Sequence, residues 1–177
     1  KNIKKEIKPI GLIPTGSGNG LINSLLWEKN LDYNMNNIVN SVLQFEEKKI
    51  DIMEVELLED KKNIDSFLFI SCGLFSDIDV GTDYLRCLGN YRFIIGGILS
   101  ILFQNSFYAT LQYKDELNNS VSIDGDFIFF MANNAPYTSD DSFTSPKSKT
   151  DDGLIKIAYL AEPYTRYKLT KILLGLS

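Results

Sequence analysis

The ten residues Gly11-Leu12-Ile13-Pro14-Thr15-Gly16-Ser17-Gly18-Asn19-Gly20 constrain the fold more than any other part of the chain. They read as a short buried strand, Ile10–Ile13, then a tight glycine turn, then a helix over Gly20–Trp27 whose N-terminus stays open. A helix start carries unpaired N–H groups and a partial positive charge, so an anion such as phosphate settles there. Gly16 and Gly18 allow close backbone approach and positive φ. Ser17 and Asn19 add side-chain donors or a cap. A plain strand-to-helix turn with a polar cap reads equally well from these residues alone. The turn lacks the lysine of a P-loop, the third glycine of a dinucleotide fingerprint and the first glycine of a nucleophile elbow.

Composition prunes the chemistry. The chain has 177 residues and no histidine, which removes Ser-His-Asp and Cys-His catalysis and His-ligated zinc from its repertoire. A general base from these residues is a carboxylate, a lysine or a tyrosine. The net charge of −5 argues against a general nucleic-acid binder. Cys72 and Cys87 are expected to be buried, reduced thiols. The longest apolar run, Phe93 to Phe103, is shorter than the ~20 residues of a membrane span.

Periodicity supplies the elements. A second helix is expected over Asn34–Gln44, where Met35, Ile38, Val39, Val42 and Leu43 share one face. Between Ile50 and Leu57 the apolar parity shifts, which suggests a β-bulge. The turn-rich Glu59–Asp65 then leads into a strand at Phe67–Cys72, closing a hairpin. Phe93–Phe103 is helix-like, weakened by Gly96 and Gly97. Further strands are expected near Phe107–Lys114, Phe127–Ala132 and Leu154–Leu160, and a last helix over Thr165–Leu176. The polar stretch Asn133–Asp152 reads as a long surface loop. Residues 1–46 therefore look like the end of an α/β domain. Residues 47–177 look like a mostly antiparallel β-sandwich with helical decorations, incomplete at its C-terminus.

Two constellations beyond the turn bear chemistry. Asp77 and Asp79, two apart at an expected strand end, suit an ammonium or a metal, or are simply solvated. Arg86 and Arg92, six apart, fall on different sides of a straight helix. A break at Gly89-Asn90 re-aims both guanidinium groups at one point, as a triphosphate requires; the alternative is two surface arginines. The apolar block that follows packs a core or lines a lipid pocket.

Together these residues resemble the sphingosine kinase branch of the diacylglycerol-kinase-like lipid kinases. Pro14-Thr15-Gly16-Ser17-Gly18-Asn19 is similar to the family's P-x-G-[ST]-[GN]-N turn. Cys72-Gly73-Leu74-Phe75-Ser76-Asp77-Ile78-Asp79 is similar to its G-x-x-A-D-x-D strand end. Arg86-Cys87-Leu88-Gly89-Asn90-Tyr91-Arg92-Phe93 follows its R-x-L-G-x-x-R-F run, and Ser145-Pro146 with Asp152-Gly153-Leu154-Ile155 its late A-P…D-G segment. The resemblance implies an ATP- and Mg²⁺-dependent kinase acting on the primary hydroxyl of a sphingoid base. Alternatives are diacylglycerol or ceramide as substrate, or a non-catalytic lipid-binding module. It further implies that Gly16, Ser17, Gly18, Asn19, Arg86 and Arg92 border the ATP phosphates and that Asp79 holds the lipid head group. Phe93, Ile98, Leu99, Leu102 and Phe103 would line the acyl pocket. No metal ligand is assigned, and the catalytic aspartate is expected upstream of Lys1, so the 177 residues alone are expected to be inactive. Gly81 and Tyr84 stand where sphingosine kinases commonly carry charged residues. A cytoplasmic enzyme in peripheral contact with membranes completes the expectation.

Overall fold

The computed structural model describes residues 9–16, 18–44, 47–89, 91–103, 105–162 and 165–173. It shows mixed helices and antiparallel sheets in two compact units. One unit comprises the chain up to Phe69 together with Asn133–Lys156; the other comprises Ile70–Ala132 and the chain from Ile157 onward. The expected division at residues 46/47 falls inside the first unit.

In the first unit, α1 (Gly20–Glu28) and α2 (Met35–Leu43) arise where the periodicity placed them. Asn34 caps α2 by accepting a hydrogen bond from the Asn37 N–H at 2.9 Å. The hairpin is β1 (Met53–Leu57) with β2 (Lys62–Ser66), in continuous register from Met53↔Ser66 to Leu57↔Lys62. No bulge interrupts it, because the strand starts only at Met53, after the parity shift. The expected partner at Phe67–Cys72 is corrected. Lys61, at φ 49°, turns the chain so that Lys62–Ser66 pairs with β1. Phe69–Gly73 forms a separate strand, β3, in the other sheet.

Residues 133–156 do not behave as a free surface loop. Asn133, Asn134, Ser148 and Thr150 are at most 1% exposed. Asn134 Nδ2 donates to the Asp51 and Phe67 carbonyls at 2.8 and 3.2 Å. Glu28, at the end of α1, accepts from Thr150 N–H at 2.7 Å and from Thr150 Oγ1 at 2.9 Å, and also pairs with Lys48. Buried polar groups need partners, and apart from Asn133 Oδ1, which has none among the described residues, the Ser, Thr and Asn groups named here find them within the unit. Gly20 is required by the packing here, since a Cβ on it would sit 2.6 Å from the Thr138 carbonyl.

The second unit is built on β5 (Ser120–Asn133), which lies between β3 and β4 (Phe107–Lys114), with β6 (Lys156–Ala161) also pairing with it. β4 and β5 run antiparallel from Phe107↔Phe127 to Lys114↔Ser120. The first half of β5 alternates in burial, whereas Phe127, Ile128 and Phe129 are all buried, as in a strand covered on both faces. Leu74, Ile78, Ile128, Phe129, Leu160 and Leu169 form the core. Leu74 and Ile78 come from α3 (Leu74–Gly81), Leu169 from α5 (Arg166–Leu173). The expected end of the last helix, beyond Leu173, lies outside the described residues. α4 (Tyr91–Leu102) packs on α3 through Gly96, whose absent Cβ leaves room for the methyls of Ile78 and Thr82.

Candidate functional site

The second unit gathers four of its charged residues into one cluster. Gly73, at φ 76°, ends β3 and starts α3. Leu74 and Ile78 anchor the helix in the core, which turns Asp79 outward. Asp77 and Asp79 therefore stand on a helix and not at a strand end. Two residues apart there, they point about 200° apart, and only Asp79 joins the cluster. Asp77 sits in the first turn of α3, where its charge complements the helix dipole. After Thr82 a 3₁₀ helix (Asp83–Leu88) carries Asp83 and Arg86, and Gly89 at φ 57° ends it before α4 begins.

That break brings the two guanidinium groups together. Arg86 Nε donates to Asp83 Oδ1 at 2.6 Å, and Arg92 Nη1 lies 3.8 Å from the same oxygen. Arg92 also donates to Asp79 Oδ1 at 2.7 Å and to the Asp79 carbonyl at 3.1 Å. Its guanidinium carbon rests 4.3 Å from the centre of the Phe93 ring. Only 13% of the Arg92 side chain is exposed, against 74% for Arg86, 64% for Asp79 and 55% for Asp83. Arg92 is thus fixed by a carboxylate, a carbonyl and a ring, while Arg86 is held by one exposed pair of small energetic weight. Two cations and two anions thus meet at a solvent-facing surface. Asp83 was missed in the sequence, although its i, i+3 spacing to Arg86 was the available signal.

The glycine turn lies in the first unit. Thr15 N–H bonds to the Ile13 carbonyl at 3.0 Å. Asn19 does not cap α1; its Nδ2 donates back to the Gly16 carbonyl at 3.0 Å. The α1 N-terminus therefore carries no side-chain cap, Gly18 approaches Ser139, and Gly20 is buried against the Tyr137 and Thr138 carbonyls. Ser17 lies outside the described residues. The expected strand Ile10–Ile13 is not formed: Ile10 and Ile13 are 85% and 75% exposed, and no strand among the described residues pairs with them.

Phe93, Ile98, Leu99 and Leu102 occupy exposed positions of α4 and Phe103 follows its end, at 40–71% exposure. Core packing is excluded for them; Gly96 and Ile101 make the inward contacts. Cys72 and Cys87 are free and exposed, which corrects the expectation of burial. Cys72 lies on β3 and Cys87 on the 3₁₀ helix. Among the described residues no three His, Cys, Asp or Glu side chains converge to hold a metal, and no helix is long and apolar enough to cross a membrane.

No protein-family model matches the chain. It is 23% identical to sphingosine kinase 1 of Arabidopsis thaliana over 90% of its own length and 40% of the relative's. It is 30% identical to sphingosine kinase 1 of Caenorhabditis elegans over 60% of the chain and 24% of the relative. Sphingosine kinase 2 of Homo sapiens is 26% identical over 59% of the chain and 17% of the relative. The chain thus spans two fifths or less of the length of these curated relatives. Curated kinases from plant, worm, human and yeast each match 58–90% of the chain, and over that span the chain is similar to the sphingosine-kinase-like lipid kinases.

Proposed function

We propose that this chain supplies the lipid-receiving part, and one phosphate-facing edge, of an ATP-dependent kinase that phosphorylates the primary hydroxyl of a sphingoid base. The observation that carries this reading is the Asp79–Arg92–Asp83–Arg86 cluster, set on a run of residues that resembles the kinases' own. In phosphoryl transfer the protein mainly positions reactants and stabilises charge on the transferring group. Arg92 and Arg86 have the chemistry for that task, with bidentate donors that match phosphate oxygens. When phosphate takes Arg92, the Asp79 carboxylate is released to receive an ammonium head group. The uncapped start of α1 with Gly16, Gly18 and Asn19 is read as a second phosphate contact, and the exposed apolar residues of α4 as a wall of the acyl pocket. In this reading residues 1–46 close an ATP-binding domain and residues 47–177 form most of a lipid-binding sandwich. Mg²⁺ enters with the nucleotide; no described residue is assigned to it. The enzyme would work in the cytoplasm, in peripheral contact with membranes that hold its lipid.

One observation favours a neutral lipid alcohol instead. The Asp79 carboxylate is already engaged by Arg92 and so is not waiting for a cation. Turnover of sphingosine and of diacylglycerol by the full-length protein separates the two readings. Asp79→Asn is expected to lower kcat/KM for sphingosine by about 10- to 100-fold, the worth of one charge-assisted hydrogen bond, and to leave the neutral lipid nearly unchanged. Equal losses on both lipids would remove Asp79 from head-group recognition.

A further inference from the structure

A cleft in the first unit has a chemistry that the kinase reading does not use. It measures about 420 Å³, within the small-molecule range. The end of α1, the turn that follows it and the Tyr137–Phe143 loop border this open cleft. Trp27, Tyr33, Tyr137 and Phe143 line it, together with Asp32 and Asp140. The Phe143 ring centre lies 4.6 Å from that of Tyr137 and 5.2 Å from that of Trp27, tilted by 38° and 56°. These rings form a continuous wall, yet Trp27, Tyr33 and Phe143 keep 36–41% of their surface open.

Electrostatics favour a cation there. Aromatic faces carry negative potential, and no lysine or arginine is among the residues that line the cleft. Asp32 and Asp140 use their backbone carbonyls to accept from Asn37 and Asn23, at 2.9 and 2.8 Å. Their carboxylates have no hydrogen-bond or ion-pair partner among the described residues. The acids do not converge as a metal site requires; they are spread around a space wider than a bare ion. The walls are also pre-set. Tyr137 bridges to Phe143, Thr138 N–H donates to the Ser142 carbonyl at 3.0 Å, and Asn23 holds the Asp140 backbone. Little ordering is left for a ligand to impose.

We propose that this cleft binds an alkylammonium group of the trimethylammonium type, with the rings covering its methyls and Asp32 and Asp140 balancing its charge. The site stands apart from the kinase reading and does not depend on it. Free choline and a choline lipid head group share this chemistry. Trp27 is the sole tryptophan of the chain, so its fluorescence reads the site directly. The 177-residue chain is titrated with choline chloride, against sodium chloride at matched ionic strength, and in parallel with phosphatidylcholine or phosphatidylglycerol vesicles. Saturation-transfer NMR on the choline methyl protons provides a readout that does not rely on tryptophan.

A saturable Trp27 response to choline, or a response to phosphatidylcholine and not phosphatidylglycerol vesicles, supports the site. The first identifies a free ligand, the second a head group. Asp32→Asn with Asp140→Asn is expected to weaken binding by about tenfold, with an unchanged far-UV spectrum because neither carboxylate holds the fold. No saturable response to choline or phosphatidylcholine overturns the proposal. So does binding that is as strong in the double variant, or a response to magnesium chloride alone.

Discussion

Three glycines of the second unit form an internal scale on which the packing argument stands or falls. A Cβ on Gly73 would lie 2.3 Å from the Ile128 carbonyl oxygen and 2.6 Å from Phe107 Cε1, and the backbone there has φ 76°. Backbone strain at such a residue costs about 1–3 kcal/mol, and displacing a central strand costs a similar overpacking penalty of about 1–3 kcal/mol. Gly73→Ala is therefore expected to cost about 4 kcal/mol, a large share of the ~5–15 kcal/mol typical of a domain. At Gly96 the obstruction is two methyls at 2.9 Å, Ile78 Cγ2 and Thr82 Cγ2, which are side-chain ends and can shift. Overpacking of about 2 kcal/mol, less a helix-propensity gain of about 1 kcal/mol, leaves Gly96→Ala destabilising by about 1 kcal/mol. Gly97 has nothing within 4 Å of its would-be Cβ, so Gly97→Ala is expected to stabilise by up to about 1 kcal/mol. Urea unfolding of the chain followed by far-UV circular dichroism measures all three. A Gly73→Ala protein within about 1 kcal/mol of the parent, or a Gly97→Ala protein less stable than Gly96→Ala, would refute the packing of β3 on β5 and of α4 on α3.

Two further outcomes concern polar groups. Glu28→Ala removes the acceptor for both the N–H and the hydroxyl of fully buried Thr150. It is expected to cost about 3 kcal/mol, read as a shift in the urea midpoint reported by neighbouring Trp27; a loss below about 0.5 kcal/mol would contradict the tie. Asp115, at the β4–β5 tip, is held below the ordinary carboxylate range, first by the Asn119 side-chain amide, then by the Asn119 N–H, with desolvation opposing and the Leu117 N–H adding a last lowering contact. Its folded-state pKa is depressed, so its contribution is complete above the unfolded value of about 3.9 and is lost as pH falls through the folded value. Asp115→Asn should therefore flatten the acid limb of a stability–pH curve below about pH 4 and leave the neutral region parallel to the parent.

Much of the secondary structure was legible because it follows from local rules. The apolar spacing in Met35–Leu43 and the alternation in Phe107–Lys114 each recur in the structure as an α-helix and a half-exposed strand. What could not be read depends on partners distant in sequence. Ile10–Ile13 has strand-like residues but no pairing strand among those described, so hydrophobicity alone did not make it a strand. Conversely, Asn134, Ser148 and Thr150 look solvated in sequence, yet lie buried because acceptors such as the Asp51 carbonyl and the Glu28 carboxylate wait for them from far along the chain. Polarity predicts exposure only where the fold offers no partner.

The site shows the same division between local and distant information. A break between Arg86 and Arg92 was visible as Gly89, and its consequence, two guanidinium groups near one oxygen, follows from that residue's φ of 57°. Which carboxylates would meet them was not visible. The sequence pairs Asp77 with Asp79 by proximity, whereas the helix separates those two and joins Asp79 and Asp83 to the arginines. The joining changes how the cluster has to work. An isolated Asp79 would recognise a head-group cation by itself. An Asp79 held by Arg92 at 2.7 Å presents a neutral pair, and recognising an ammonium first requires drawing the guanidinium away. Phosphate, with more charge than a carboxylate and a geometry that takes both guanidinium donors, is the group able to do so. In the proposed reading the roles of Arg92 and Asp79 are one linked exchange of partners, and a substitution at either residue should be measured on both substrates.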